Sequence, residues 1–293
     1  MRTPFPYAGS KWSQGYEIWR RFGDPDHFID PFCGSCSVLL TRPWPSSQCE
    51  SEIINDRNGF ITNFWRAVKD RPKAVLKYCL DMPNEIEMYA RHAWLLATAG
   101  KLEASLRANP DYYDAKTAGW FCWGASLWPM HGWCSSVKAV TRKRLHLHRG
   151  RGIFRKSIGG ATIARSGGLL TYFTALHQRM EQVNVLCGGW RRCVTDSLLK
   201  RRGDTAILLD PPYSTDVREK GAYRYDGGPG LSRKVRDWAV AHGENPRLRI
   251  AFCGLADEHK MPSSWSVLPW SNAGGAKGRR NMERIWFSPH CLP

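Results

Sequence analysis

The sequence predicts an α/β fold built on a largely parallel sheet, on three observations. Six short apolar segments, at residues 27–30, 53–55, 183–187, 206–209, 248–252 and 284–287, have the length of strands and are mostly bounded by Gly, Pro, Asp or Asn. Their apolarity is largely continuous rather than alternating, which suits a sheet covered on both faces. Helical stripes lie between them, and strands that alternate with helices build parallel sheets.

Taken in order, the first strand, HFID at 27–30, runs into a loop of small residues, PFCGSCS at 31–37, before the apolar VLL. Such a layout lets a backbone approach a ligand closely at a helix N-terminus. The second strand ends in Asn55 and Asp56. An acid there is placed either to hold a ribose diol or to cap the next helix. Phe60, Phe64 and Val68 follow at helical spacing behind Asn58. Between about residues 71 and 168 the strand signal fades while Trp, Arg and Gly accumulate, so this stretch reads as an insertion into a domain formed by 1–70 and 169–293. A helix carrying Leu169, Phe173, Leu176 and Met180 leads into strand 183–187, and strand 205–209 ends at Asp210. The stripe Val235, Trp238 and Ala239 predicts a further helix, with Ser232 as its N-cap and Gly243 as its C-cap.

Charge narrows the partner. The 293 residues hold 43 Lys and Arg against 26 Asp and Glu, a net charge of +17 that attracts polyanions. A hydrophobic share of 42% supports a sizeable core and excludes a disordered chain. No segment approaches the ~20 apolar residues of a membrane helix, and the start, MRTPFPYAGSKW, lacks a signal peptide's pattern, so an intracellular protein is expected. Of ten cysteines only Cys33 and Cys36 have a CxxC spacing, with no second pair and no ordered histidine pair. Reduced, mostly buried thiols and no metal follow.

The sharpest chemical signal is Asp210-Pro211-Pro212-Tyr213, directly after a buried strand. Loops at the carboxyl ends of strands are where α/β folds place their chemistry. Two prolines stiffen this one and donate nothing, which leaves their carbonyls free to accept. A planar amine bound here gives one hydrogen to Asp210 and the other to the Pro211 carbonyl. That favours a pyramidal nitrogen whose lone pair can attack, and it offsets the charge that develops. Tyr213 offers a face on which a base can stack.

FPYAGSK at 5–11, DPFCGSCS at 30–37, IND at 54–56 and DPPY at 210–213 occur in a characteristic order, with ERIWFSP at 283–289 behind them. In these motifs the chain resembles the Dam-like (class alpha) DNA adenine N6-methyltransferases, particularly phage-borne members. The resemblance implies a Rossmann-like methyltransferase fold, mostly parallel with one antiparallel strand near the C-terminal edge, carrying an inserted, mainly helical target-recognition domain. It implies S-adenosyl-L-methionine as cofactor, double-stranded DNA as partner and a site in the cytoplasm of a bacterial or phage-infected cell; nothing in it calls for more than one copy of the chain. Tyr7 and Lys11 match the motif packed on the methionine part of the cofactor. Asp30, Phe32 and Gly34 match the first cofactor loop, and Asp56 the acid on the ribose. Asp210, Pro211, Pro212 and Tyr213 match the catalytic loop, Asp210 also bordering the cofactor.

The chain departs from the pattern at three places. Ser10 stands where a second glycine is common, Cys36 replaces the last glycine of the cofactor loop, and Gly188-Gly189-Trp190 stands where a further cofactor-contacting acid often sits. For DNA, the best candidate is the basic stretch 142–156, in which Arg142, Lys143, Arg144, Arg149, Arg151, Arg155 and Lys156 would meet phosphates and one or two would read bases. A second basic loop lies at 277–280. The aromatic group Trp120, Phe121, Trp123, Trp128 and Trp133 reads as helical core, and His131 with Cys134 as structural. Asp-Pro-Pro-Tyr loops also serve cytosine N4 and RNA adenine, and a nucleic-acid-binding protein with an inactive cofactor site is the remaining alternative.

Overall fold

A computed structural model describes residues 1–43, 49–81, 84–128, 133–135, 168–213, 228, 230–270 and 283–293. Seven strands form one sheet: β1 (His27–Asp30), β2 (Ser51–Asp56), β3 (Val183–Cys187), β4 (Thr205–Leu209), β5 (Leu248–Leu255), β6 (Ser266–Trp270) and β7 (Glu283–Phe287). Their order is β3-β2-β1-β4-β5-β7-β6, with β7 antiparallel to both neighbours and every other pairing parallel. The mostly parallel Rossmann-like sheet with one reversed strand near its C-terminal edge is therefore present. Strand β6 has no counterpart in the sequence reading: Val267 is exposed and Pro269 interrupts the run, the composition of an edge strand rather than a covered one.

The described helices are α1 (Gly15–Phe22), α2 (Gly59–Asp70), α3 (Pro72–Cys79), α4 (Glu85–Ala108), α5 (Ala115–Leu127), α6 (Gly168–Met180), α7 (Asp196–Leu199) and α8 (Leu231–His242). Continuous apolarity in the strands is explained by burial on both faces. Along β4, Ala206 and Leu208 enter the core shared with α1, α2 and α6, while Ile207 and Leu209 enter the core shared with α8. Successive side chains of a strand alternate faces, so both sets must be apolar when both faces are covered.

Asn58 caps α2 as its sequence suggests, its side chain accepting from the Phe60 N–H at 3.1 Å. The expected Ser232 N-cap is a correction. Gly230, at φ +76, occupies the cap position of α8, and Ser232 lies inside the helix, buried, with its hydroxyl 2.8 Å from His259 Nε2. Serine's preference for caps was outweighed by a buried side-chain partner. Gly243 caps the C-terminus as expected.

Helices α3, α4 and α5 occupy the described part of the 71–168 stretch and pack on the same core as α2 and α6. Arg66 of α2 reaches across to the carbonyls of Leu106, Asn109 and Tyr112, satisfying the otherwise orphaned C-terminal end of α4. Phe121, Trp123, Trp128 and Trp133 are buried as expected of helical core, whereas Trp120 is half-buried, with Arg91 and Lys116 over its ring. All ten cysteines are free thiols, eight of them buried. No described helix is long and apolar enough to cross a membrane.

Candidate active site

Strand order reverses between β1 and β4: the chain passes from β1 to β2 and β3 on one side, then returns to β4 on the other. Open α/β sheets bind ligands in the crevice beyond the carboxyl ends of the strands at such a point. Asp30 is the last residue of β1, Asp56 the last of β2, and Asp210 follows β4 directly.

From β1 the chain turns through the small-residue loop. The Phe32 N–H donates to Asp30 Oδ1 at 3.1 Å, and the Cys33 N–H donates to the Asn55 carbonyl at 3.0 Å, which holds the loop across the end of β2. Gly34 has φ +48, and a Cβ there would lie 2.4 Å from the Tyr7 ring, so only glycine lets the N-terminal motif close onto the loop. Cys36, where the family pattern favours glycine, keeps the left-handed turn at φ +52, with its N–H donating to the Cys33 carbonyl at 2.6 Å. The cost of that conformation for an L-residue is roughly 1–2 kcal/mol. Ser10, the other such departure, has no positive φ and carries no such strain; Gly9 before it does, at φ +78. Burial pushes the Cys33 and Cys36 thiols up from their ordinary range, so both stay protonated and poor as metal ligands. Among the described residues no group of three His, Cys, Asp or Glu side chains could hold a metal.

Asp56 is gripped by backbone. Its Oδ2 accepts from the Gly34 N–H at 3.1 Å and its Oδ1 from the Asn58 N–H at 2.7 Å. Burial raises its pKa to about 6 against the pull of those donors. Asp30 is pushed well above the usual carboxylate range, chiefly by burial and further by the charges of Asp210 and Asp56.

Lys11 is the hinge of the arrangement. Only 2% exposed, it sends its ammonium to both carboxylate oxygens of Asp210, at 2.7 and 2.9 Å, and to the Gly9 carbonyl at 2.7 Å. Its three N–H donors are thereby used. Its backbone N–H donates to Ser37 Oγ at 3.0 Å, which fastens the N-terminal motif to the cofactor loop. Burial pulls this lysine's proton affinity down; Asp210 outweighs it and holds the ammonium well above the ordinary lysine range. The same nitrogen lies 5.7 Å from the centre of the Tyr213 ring, a cation–π distance.

A single cleft gathers most of the residues predicted from sequence for catalysis and cofactor binding. Tyr7, Phe32, Asp56, Asp210, Pro211, Pro212 and Tyr213 line it, whereas Lys11, Asp30 and Gly34 stand behind its wall. It encloses about 970 Å³, solvent at its mouth included, within the size range of small-molecule sites. Trp190, just beyond β3, lines it too, its ring 6.4 Å from that of Phe32 with the planes 28° apart. The sequence marked this position only by its missing acid; an aromatic residue directly behind two glycines at a strand's carboxyl end was the signal to use. The DNA candidates Arg142, Lys143, Arg144, Arg149, Arg151, Arg155 and Lys156, the 277–280 loop and His131 lie outside the described residues.

Residues 7–115 match the model of the D12 class N6 adenine-specific DNA methyltransferase family. The matched stretch holds Tyr7, the cofactor loop and Asp56; the Asp210–Tyr213 loop lies beyond it and is joined to it through Lys11. No curated protein matches the chain.

Proposed function

We propose that the chain is a D12 class N6 adenine-specific DNA methyltransferase, an S-adenosylmethionine-dependent enzyme that methylates adenine in DNA, and that its own residues divide the work as follows. The observation that carries the proposal is the Lys11–Asp210 pair at the carboxyl end of β4, with Asp210 lining one cleft together with Asp56 and Tyr213.

The cleft's size and its acidic groups suit the cofactor. Asp30 and Asp56 are held at raised proton affinity by burial, and a ligand bearing ammonium and sulfonium charges relieves that strain. Asp56 is aimed by two backbone amides so that its remaining lone pairs can accept from a ribose diol. The Phe32 and Trp190 rings would hold the purine by contact in place of the absent acid, and a Cβ at Gly189 would meet open space, so that position leaves room. S-adenosylmethionine, when bound, supplies the electrophilic methyl group.

The target adenine, turned out of the duplex at a cost of a few kcal/mol, enters at the Asp210–Tyr213 loop and stacks on Tyr213. Its amine gives one hydrogen to Asp210 and one to the Pro211 carbonyl. Lys11 takes one lone pair from each Asp210 oxygen and leaves others free to accept from the amine. The N6 lone pair would take the methyl group, and one of the two protons on the now cationic nitrogen then leaves to solvent. The basic stretch 142–156, within the proposed 71–168 recognition region, serves the duplex backbone and the target sequence, drawing on the +17 charge.

The test is transfer of labelled methyl to unmethylated duplex DNA, with the product nucleoside identified by mass spectrometry. N6-methyladenine is the expected product; N4-methylcytosine, or label confined to RNA, would overturn the reading.

The Asp56 role makes a separate prediction. A ribose hydroxyl donates to the ionised carboxylate, so cofactor affinity should be flat above pH 7 and fall about tenfold by pH 5, as the pH drops through the acid's pKa of about 6. Calorimetric titration across that range measures it. Asp56→Asn should weaken binding about 10–100-fold and abolish the step near pH 6; a step that survives in the variant assigns it to another acid.

A further inference from the structure

Two polar atoms at this site have no hydrogen-bond partner among the described residues although both are buried: the Tyr213 hydroxyl and Oε2 of Glu283. A buried donor or acceptor without a partner is costly, so two kept at one site call for an explanation. Glu283 opens β7, opposite Leu255 at the end of β5. Because β7 runs backwards, its first residue lies at the edge where the parallel strands end. The charges that act on the Glu283 carboxylate are those of the Lys11–Asp210 pair. Lys11 and Asp210 both influence it, and the Tyr213 hydroxyl lies close enough to draw its proton affinity down without forming a bond of normal geometry. Its Arg284 neighbour points its guanidinium back to the Glu283 carbonyl at 2.9 Å, which fixes the backbone but leaves the carboxylate to the site.

We propose that Glu283 is a positioning residue for methyl transfer: its carboxylate accepts the Tyr213 hydroxyl as the target base enters, and so sets the tilt of the ring on which that base stacks. The inference rests on the adenine-methylation reading and extends it to a strand outside the matched stretch. Two orphaned groups become one O–H···O pair only when the loop takes its working position, so the bond is made where the base is held and is absent before. Misplacing a reacting group by an ångström can cost about a hundredfold, and a tilt of the stacking ring is a smaller error of the same kind.

The experiment is a double-mutant cycle on single-turnover methyl transfer with Tyr213→Phe and Glu283→Ala, and Glu283→Gln as the conservative variant. Tyr213→Phe and Glu283→Ala should each lower the rate about tenfold, and the double variant should be no slower than either, because both remove the same bond. Glu283→Gln, which still accepts a hydrogen bond, should stay within about threefold of the parent. Cofactor affinity should hold within about twofold throughout, which a collapse of the fold would not allow. Effects that multiply to about a hundredfold, or Glu283→Ala at parental rate, overturn the proposal. Should Glu283→Ala fail to fold, Tyr213→Phe decides alone: a ring needed only for stacking would leave the rate unchanged. A parent enzyme that makes no N6-methyladenine would instead refute the underlying reading.

Discussion

Asp210→Ala should abolish methyl transfer, lowering the single-turnover rate by about 10³-fold or more. Removing one well-placed group that offsets transition-state charge costs about 10²–10³-fold, and in the proposed mechanism Asp210 both orients the amine and offsets the charge that grows on it. The duplex contacts proposed for 142–156 are untouched, so DNA affinity should hold, and the loss should appear in the rate rather than in binding. Labelled-methyl transfer with saturating DNA and cofactor measures it, with a thermal melt run alongside. A variant that keeps a tenth of the parental rate would move the chemistry away from this loop.

Lys11→Met carries the second large effect, and it falls on stability as well as rate. The lysine is buried and both oxygens of Asp210 lean on it. Removing one partner of a buried pair leaves an uncompensated charge and costs about 3–5 kcal/mol, which corresponds to a fall in Tm of roughly 10 °C. Asp210 then loses the ammonium that fixes both its oxygens, the acceptor for the amine is no longer held in place, and the methylation rate should drop at least about a hundredfold. Adding Asp210→Asn to Lys11→Met should restore much of the lost stability and none of the activity. Calorimetric melts of the three variants give the comparison. A Tm within about 2 °C of the parent for Lys11→Met would show that the pair is not the fastening the geometry describes.

Much of this was legible in the sequence because the relevant signals are local. A strand such as TAILL, buried on both faces, announces itself, and Asp210 is read from its place directly behind it. Asp56 and the small-residue loop are legible for the same reason. What could not be read was whatever depends on contacts distant in sequence. Lys11 was expected on the cofactor's side; its partnership with Asp210 spans 199 residues and appears only when β1 and β4 lie adjacent. Ser232 looked like a cap until His259, 27 residues on, claimed its hydroxyl. Strand β6 is half exposed and holds a proline, so it carries no continuous apolar run. Trp190 looked like a gap in a pattern because the pattern names an acid, and an aromatic wall recognises the same ring by other means.

The reversal of β7 has a kinetic consequence. A chain that has folded only as far as β3 already owns its cofactor loop and Asp56, but neither the acceptor nor the stacking ring. Closing a loop of about 200 residues costs only a few kcal/mol more than closing a short one, yet such contacts come late in folding because everything between them must first be organised. Glu283 enters later still, on the strand through which β6 joins the sheet. Donor binding can therefore precede acceptor binding during assembly, and the methyl group has no destination until the two halves of the sheet have docked.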